Sequence, residues 1–323
     1  MGAFVADRRM VIGAALALAS CGPRPAGPSN LSGVTLRAAT YRGNADGFFK
    51  EAGVADTPYK LPLAQFASGT LIAEAINARA IDIGGMSEIP PIFIANTPGN
   101  LVRLIAVLKG DVNNQVVLVP KGSPLKTIAD LKGKRIGYVR ATTAHYILLR
   151  LLDEAGLTWR DITPVALSPQ DGLAAFQQGS LDAWVIYGVI VEQARAAGAR
   201  VLTTALGRLS GNYLVAASAE ALADAGKRAA IADYLQRYKT VLAWLNADDH
   251  RYAALLAKTT GVPAALYLQQ FQERSARSSL EPVTDAAIAS EQGVADAFFK
   301  AGVIPAKVDL RPLWDRSFAS SLA

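Results

Sequence analysis

The chain has 323 residues, a formal net charge of +6, one cysteine and two histidines. That length is long for one core and points to two lobes of ordinary size. Lys and Arg are scattered without a run of five or more, which argues against nucleic acid as a partner. One cysteine excludes an intrachain disulfide, and no zinc spacing, Walker A loop or Gly-x-Ser-x-Gly elbow occurs.

Arg8-Arg9 precede a short apolar run, Val11 to Leu18, which ends in Leu18-Ala19-Ser20-Cys21. The run is far too short for a spanning helix, which needs ~20 residues. Small residues ahead of a lone cysteine form a lipobox, the signal for lipidating Cys21 and cleaving before it. Two or more acyl chains give stable anchoring, at about 0.8 kcal/mol per buried CH₂. The alternative is an ordinary signal peptide with a chance cysteine. Asp7-Arg8-Arg9-Met10-Val11 also resembles a twin-arginine signal, so the export route stays open. The reading is a signal peptide over residues 1–20 and a Pro- and Gly-rich tether over 21–33. The mature protein would sit in the bacterial periplasm, tied to a membrane through Cys21. Its charge falls to +5, because the leader removes two Arg and one Asp from the +6 chain.

Strand and helix signals then alternate. Residues 34–39 and 61–66 read as strands. Ser68-Gly69-Thr70 opens a helix with Leu71, Ile72, Ala75 and Ile76 on its apolar face. Residues 81–85 read as a strand and turn, and 101–108 as a buried strand. Val116 to Val119 form a strand that stops at Pro120. A short helix ends at Gly133, and 135–139 is a strand. A helix from Thr142 ends at Gly156, another opens at Ser168-Pro169 and ends at Gly179, and 181–186 is a strand. Beyond residue 220 the chain reads as mostly helical: 219–245, 249–259, 263–273 and 284–301. The alternation predicts an α/β protein with mainly parallel sheets flanked by helices.

Residues 76–83 and 176–183 share one plan: helix end, tight turn, apolar residue, Asp, strand. The 100-residue offset predicts two similar lobes, each with its own sheet.

Several motifs resemble one family. They are Phe66-x-x-Gly69-x-x-x-x-Glu74-Ala75-Ile76, Ile81-Asp82-Ile83-Gly84 and Glu88 to Phe93. Ser123 to Lys134, Thr142 to Arg150, Ala174 to Trp184, Asn212 to Ala217 and Leu256 to Gly261 follow in order. The ordered set, from about residue 34 to 312, resembles the sulfonate/nitrate/taurine group of ABC-transporter substrate-binding proteins, and most of all those for aliphatic sulfonates. The resemblance implies a two-lobed periplasmic-binding-protein fold (type II-like) that closes on a ligand. The partners would be a small organic anion and a permease driven by a cytoplasmic ATPase. Lobe 1 would comprise 34–116 and 217–323, and lobe 2 would comprise 117–216. Crossovers are expected near Val117 to Pro120 and Tyr213 to Ala217.

Such a cleft must stabilise an oxyanion without hydrolysing it, and helix N-termini do this well. Thr142, Thr143, Ala144 and His145 begin a helix whose family counterpart lines the ligand. Thr142 is also a natural N-cap, and His145 is either a contact or a packing residue. Ala144 and Ala141 replace the family's common serine and glycine. Met86, Ser87 and Glu88 precede a second helix start. Ser87 is a plausible donor, whereas Glu88 would repel a sulfonate and is expected to cap the helix or bind a cation. Tyr41, Arg42, Gly43 and Asn44 follow the first strand. Arg42 is either an anion partner or a solvated loop residue. Phe66, Ser68 and Gly69 sit at the next strand-to-helix turn, with Phe66 either core or a stacking wall. Asn212 completes the set. At Tyr187-Gly188 the relatives usually carry an acid, so Gly188 removes a charge and Tyr187 could stack on an apolar or aryl tail. No cofactor, no metal, a monomer and no enzymatic activity are expected. Nitrate, an aromatic carboxylate, a pyrimidine precursor and a purely sensory role stay open as alternatives.

Overall fold

The computed structural model describes residues 1–2 and 30–322. The lipobox, Cys21 and most of the tether lie outside the described residues. Strands β1 (Ala38–Thr40), β2 (Leu63–Gln65), β3 (Ile83–Ser87), β4 (Val102–Lys109), β10 (Asn212–Ser218) and β11 (Ser279–Glu281) form one sheet, in the order β11-β4-β10-β3-β1-β2. Strands β5 (Gln115–Val119), β6 (Arg135–Tyr138), β7 (Thr163–Ala166), β8 (Ala183–Tyr187) and β9 (Arg200–Thr204) form a second, in the order β7-β6-β8-β5-β9.

Both sheets are mixed rather than simply parallel. β1, β2 and β3 pair in parallel, as do β6, β7 and β8. β10 runs against β3 and β4, and β5 runs against β8 and β9. The reversed strands are those the chain enters immediately after passing between sheets. These passages are residues 110–114 and 205–211, several residues before the places the sequence suggested. Val117 to Val119 and Tyr213 to Ala217 are instead paired strand residues. Gly110-Asp111-Val112-Asn113-Asn114 is mostly polar and turn-forming, so the ladders stop there.

Side chains alternate across each sheet. Val215 and Ala217 of β10 join one apolar cluster, while Leu214 and Ala216 join another. In the second sheet Val117, Val119, Ala183 and Val185 lie on one face, with Val116, Leu118, Trp184 and Ile186 on the other. Both faces are therefore covered, which explains the continuous apolar runs. The covering helices are α1 (Gly69–Asn77), α2 (Pro90–Ile94), α3 (Thr143–Glu154), α4 (Pro169–Gln177) and α5 (Ile190–Ala196). They continue with α6 (Ala219–Ala223), α7 (Ala225–Asn246), α8 (Asp249–Thr260), α9 (Ala264–Glu273), α10 (Asp285–Lys300) and α11 (Ala319–Leu322). The single helix expected over 219–245 is broken at Asp224. Its backbone is extended and its carboxylate accepts from Lys227 N at 2.8 Å, the behaviour of an N-cap.

The 100-residue echo is a repeated ion-pair clasp. Arg37 donates through Nε (2.9 Å) and Nη2 (2.7 Å) to Asp82, and through its backbone N–H at 2.9 Å. Its Nη1 reaches the carbonyl of Arg79, in the turn, at 2.6 Å. Arg135 repeats this on Asp182 through Nε (3.1 Å), Nη2 (2.9 Å) and its backbone N–H (2.7 Å), and reaches Gly179 O at 3.0 Å. Both turn residues are left-handed, Arg79 at φ 60° and Gly179 at φ 74°. Each clasp ties the first parallel strand of its sheet to the third. Burial pushes the Asp82 carboxyl up, but hydrogen bonds from Arg37 and from Lys227, which is 2.9 Å away, outweigh it and hold the group below the usual range.

The two clasps differ in burial: the Asp82 side chain is 2% exposed and that of Asp182 is 32% exposed. Breaking a buried pair from one side costs roughly 3–5 kcal/mol, whereas exposed pairs contribute about 0–1 kcal/mol. Asp82→Asn is therefore expected to lower stability by about 3 kcal/mol or more, and Asp182→Asn by about 1 kcal/mol. Urea unfolding of the two variants checks this, and equal losses would contradict it.

Candidate functional site

The loops at the carboxyl ends of β1, β2, β3, β6 and β8 carry most of the residues singled out in the sequence. In open α/β sheets these ends form the ligand crevice. The loop after β1 is held from beneath by the buried Asp46. Its carboxylate accepts from Thr40 Oγ1, from Asn44 Nδ2 at 2.8 Å and from Tyr234 Oη at 3.1 Å. Burial pushes the Asp46 carboxyl up, and these three donors counter it. Gly43 takes a left-handed φ of 81°, and a Cβ there would stand 3.2 Å from Leu256.

Tyr41, Tyr187 and Tyr213 gather between the lobes. Burial pushes all three phenols up, and the nearby Asp46 charge raises Tyr41 further. Gly69 packs against this group. A Cβ on it would fall 2.8 Å from both Tyr41 Oη and the Met86 side chain, so no larger residue fits. Thr142 lies close enough to the Tyr187 phenol to oppose part of the effect of burial on it.

Three helix starts were candidates for an anion cradle, and they differ in capping. Ser68 caps α1 itself, accepting from Leu71 N at 3.3 Å. The Ser87 hydroxyl accepts from Ile89 N at 3.4 Å. α3 has no side-chain cap. Thr142 occupies its N-cap position, but the hydroxyl turns back and donates to Val139 O at 2.7 Å. Thr142 is therefore not the hydroxyl donor expected, nor a capping acceptor. The Thr143 side chain is half-buried and makes no hydrogen bond among the described residues. Ala141 sits at φ 55°, a left-handed conformation that glycine adopts more readily than alanine.

Several other candidates point elsewhere. Met86 is 2% exposed and belongs to the core, as does the side chain of Ala144, which leaves Ala144 only its backbone N–H to offer a ligand. Glu88 neither caps a helix nor meets a cation directly. It is buried and accepts from Ser210 Oγ (2.9 Å), Asn212 Nδ2 (2.9 Å) and Ser290 Oγ (3.0 Å). Asn212 is also buried, and its Oδ1 accepts from Lys109 Nζ. His145 is a packing residue. Its ring lies 4.9 Å from Tyr138, 5.2 Å from Trp159 and 5.4 Å from Phe298, and Nδ1 accepts from Ala141 N at 3.4 Å. Phe66 is half-buried against the core face that holds Met86. Arg42 is exposed. Gly188 has φ 77° with open space around a would-be Cβ. The glycine is thus conformationally suited, and an acid there would be strained.

Three neighbours escaped the sequence reading. Tyr213 is one, and Gln115 is another, whose Nε2 approaches Tyr213 Oη at 3.5 Å. Arg140 is the third. It is exposed, directly precedes the left-handed Ala141, and lies close enough to lower the His145 pKa. Its place between a strand and the α3 start was the available signal. The hinge also holds a 310 Å³ cavity that includes Asn44, Lys109 and Tyr213, but its Arg274 and Arg277 are already paired with Asp249. A 640 Å³ groove along α10 is lined by none of the residues discussed above as site candidates.

Two α/β lobes, joined by two passages and with strand ends facing a common crevice, are the architecture of periplasmic substrate-binding proteins. The chain belongs to the NMT1/THI5-like family, whose model matches residues 35–227. A relative in Escherichia coli (strain K12), with the words aliphatic sulfonates-binding protein in its name, is 36% identical over 256 residues, 78% of each chain. The crystal structure of the periplasmic aliphatic sulphonate binding protein SsuA from Escherichia coli superposes with a TM-score of 0.80 at 31% identity, covering 88% of this chain and 92% of that one. The alkanesulfonate-binding protein SsuA from Xanthomonas axonopodis pv. citri, bound to MOPS, gives 0.77 at 28% identity, covering 88% and 98%. A desulfurization enzyme shares the fold at a TM-score of 0.65 and 17% identity, covering 89% and 98%, so the fold alone does not separate binding from catalysis.

Burial, with a smaller contribution from Arg140, lowers the His145 pKa from 6.5 to about 4. The unfolded chain therefore binds the extra proton first. Stability from this group is present above about pH 6.5 and is lost as pH falls toward about 4. At roughly 1.4 kcal/mol per unit, the wild type should lose about 2–3 kcal/mol more than His145→Asn between pH 7 and pH 4. Denaturant titrations at both pH values check this, and parallel losses in the two proteins would contradict it.

Proposed function

We propose that this chain is the substrate-binding component of an ABC importer. It captures a small organic anion, an alkyl or aryl sulfonate, between its lobes and delivers it to a membrane permease driven by a cytoplasmic ATPase. The observation that carries this reading is the uncapped start of α3. Its first N–H groups have no side-chain partner, the helix dipole favours negative charge there, and Arg140 adds a cation. The sulfonate head is assigned to the Thr143 and Ala144 N–H groups and the Thr143 hydroxyl. Tyr41, Tyr187 and Tyr213 would flank the tail. With glycine at 188 in place of the relatives' acid, the site suits an apolar or aryl tail better than the ammonium of taurine. The names of the similar proteins support a sulfonate over nitrate, a carboxylate or a pyrimidine precursor. Binding without chemistry is the reading for this chain, acting as a monomer with no metal or cofactor.

Lipidation of Cys21 is part of the same proposal, because a tethered receptor stays near its permease. Among the described residues no helix is long and apolar enough to cross a membrane.

A thermal-shift panel of alkyl and aryl sulfonates, sulfate esters, carboxylates and nitrate should single out a sulfonate. Native-state binding stabilises by about 2.7 kcal/mol at 100 times Kd. Thr143→Val should then weaken that ligand at least tenfold by calorimetry, since a hydrogen bond to a charged group contributes about 1.5–3 kcal/mol and 1.4 kcal/mol is tenfold. An unchanged Kd would place the head group elsewhere. Separately, Cys21→Ala should release the protein from membranes and abolish labelling by a fatty-acid probe. A wild-type protein that takes up no label would refute the anchor.

A further inference from the structure

A groove of 440 Å³ lies between α3 and α10, apart from the α3 start. Its volume falls within the roughly 300–1,000 Å³ of small-molecule sites. One wall belongs to the second lobe, with Leu149, Leu152, Leu157 and the half-buried Trp159 supplying an apolar floor. The facing wall belongs to the first lobe, with Ala297 and Ala301 of the α10 end. The rim is cationic. Arg150, Arg160 and Lys300 stand around one acid, Asp153, which Lys300 holds at 2.9 Å. Arg160 is exposed and makes no ion pair among the described residues. Arg150 is 3.6 Å from Glu154, which Arg208 also holds, at 2.7 Å. The rim therefore has cationic capacity to spare above an apolar trough.

We propose that this groove is a second ligand site, for a free anionic amphiphile: a small molecule with a carboxylate, sulfate or sulfonate head and a medium-length hydrocarbon body. The body covers the Leu and Trp floor, where removal of apolar surface from water drives binding. The head pairs with Arg160 and Arg150. Because the two walls belong to different lobes, an occupant favours the arrangement in which α3 and α10 face each other. Trp159 packs on His145 at 5.2 Å, so the groove floor lies one side chain from the first turn of α3. The site stands independently of the sulfonate reading of the crevice.

Calorimetry with decanoate, below its micelle concentration and with no sulfonate present, tests the proposal. The wild type should bind one decanoate. Ala301→Trp, which fills the groove, and Arg160→Glu, which reverses the unpaired cation of the rim, should each weaken binding at least tenfold while leaving the melting curve of the free protein in place. Excess ethanesulfonate, too short to span the floor, should not displace decanoate competitively. No decanoate binding to the wild type, equal binding to both variants, or full displacement by ethanesulfonate would each overturn the proposal.

Discussion

The buried carboxylate of Glu88 constrains how the two lobes can be joined. A buried charge or carboxyl without partners costs several kcal/mol, so its oxygens must find donors. Here the donors come from Ser210 in the second passage, Asn212 at the start of β10 and Ser290 on α10. Burial pushes the Glu88 carboxyl up while these donors and Lys109 counter it. One residue at the end of β3 thus pins the returning chain, the reversed strand and a C-terminal helix together. The second passage is thereby held to the first lobe, while its Arg208 also pairs with Glu154 of α3 in the second.

Above that anchorage, each lobe is built on one plan. An Arg at the start of the first parallel strand clasps an Asp at the start of the third, through Asp82 in one lobe and Asp182 in the other. The clasps set strand order at one end of each sheet and so bring the loops together at the opposite ends. The consequence is a crevice walled by loop residues from both lobes, with the α3 start on one side and the β1 and β3 loops on the other. α3 is also where the lobes touch: Tyr146 and His145 lie 6.0 Å and 5.4 Å from Phe298 of α10, and Lys300 pairs with Asp153. On the opposite side, Arg195 of α5 pairs with Glu273 of α9 at 2.6 Å. Packing, lobe contact and the proposed head-group site therefore meet on one helix.

Much of this was legible in the sequence because it is local. The apolar alternation of 214–217 and 183–186, the Ser68 and Ser168 caps, and the Gly156 and Gly179 stops all act within a few residues. The echo around Asp82 and Asp182 was legible as a pattern, although its Arg partners lie 45 and 47 residues away. β7 was missed because it carries Pro164, and β9 because it alternates weakly. The passages were placed late because Val116 to Val119 is a continuous apolar run that hides where one sheet ends. The site was less legible for the same reason. The donors to Glu88 lie 122, 124 and 202 residues away, and no local signal separates a capping acid from a buried one. His145 packs on Trp159 and Phe298, again beyond local reach. Thr142 shows the converse limit, since it occupies the N-cap position that its residue type predicts, yet its hydroxyl donates to the Val139 carbonyl.

The central claim is that an anionic head group rests on the open first turn of α3. A crystal structure of the protein with a bound alkyl or aryl sulfonate tests it most directly. The account predicts sulfonate oxygens about 2.7–3.2 Å from the Thr143 and Ala144 N–H groups, with Tyr41, Tyr187 and Tyr213 around the tail. A sulfonate held away from α3, or one whose oxygens are bound only by side chains of the first lobe, would contradict it.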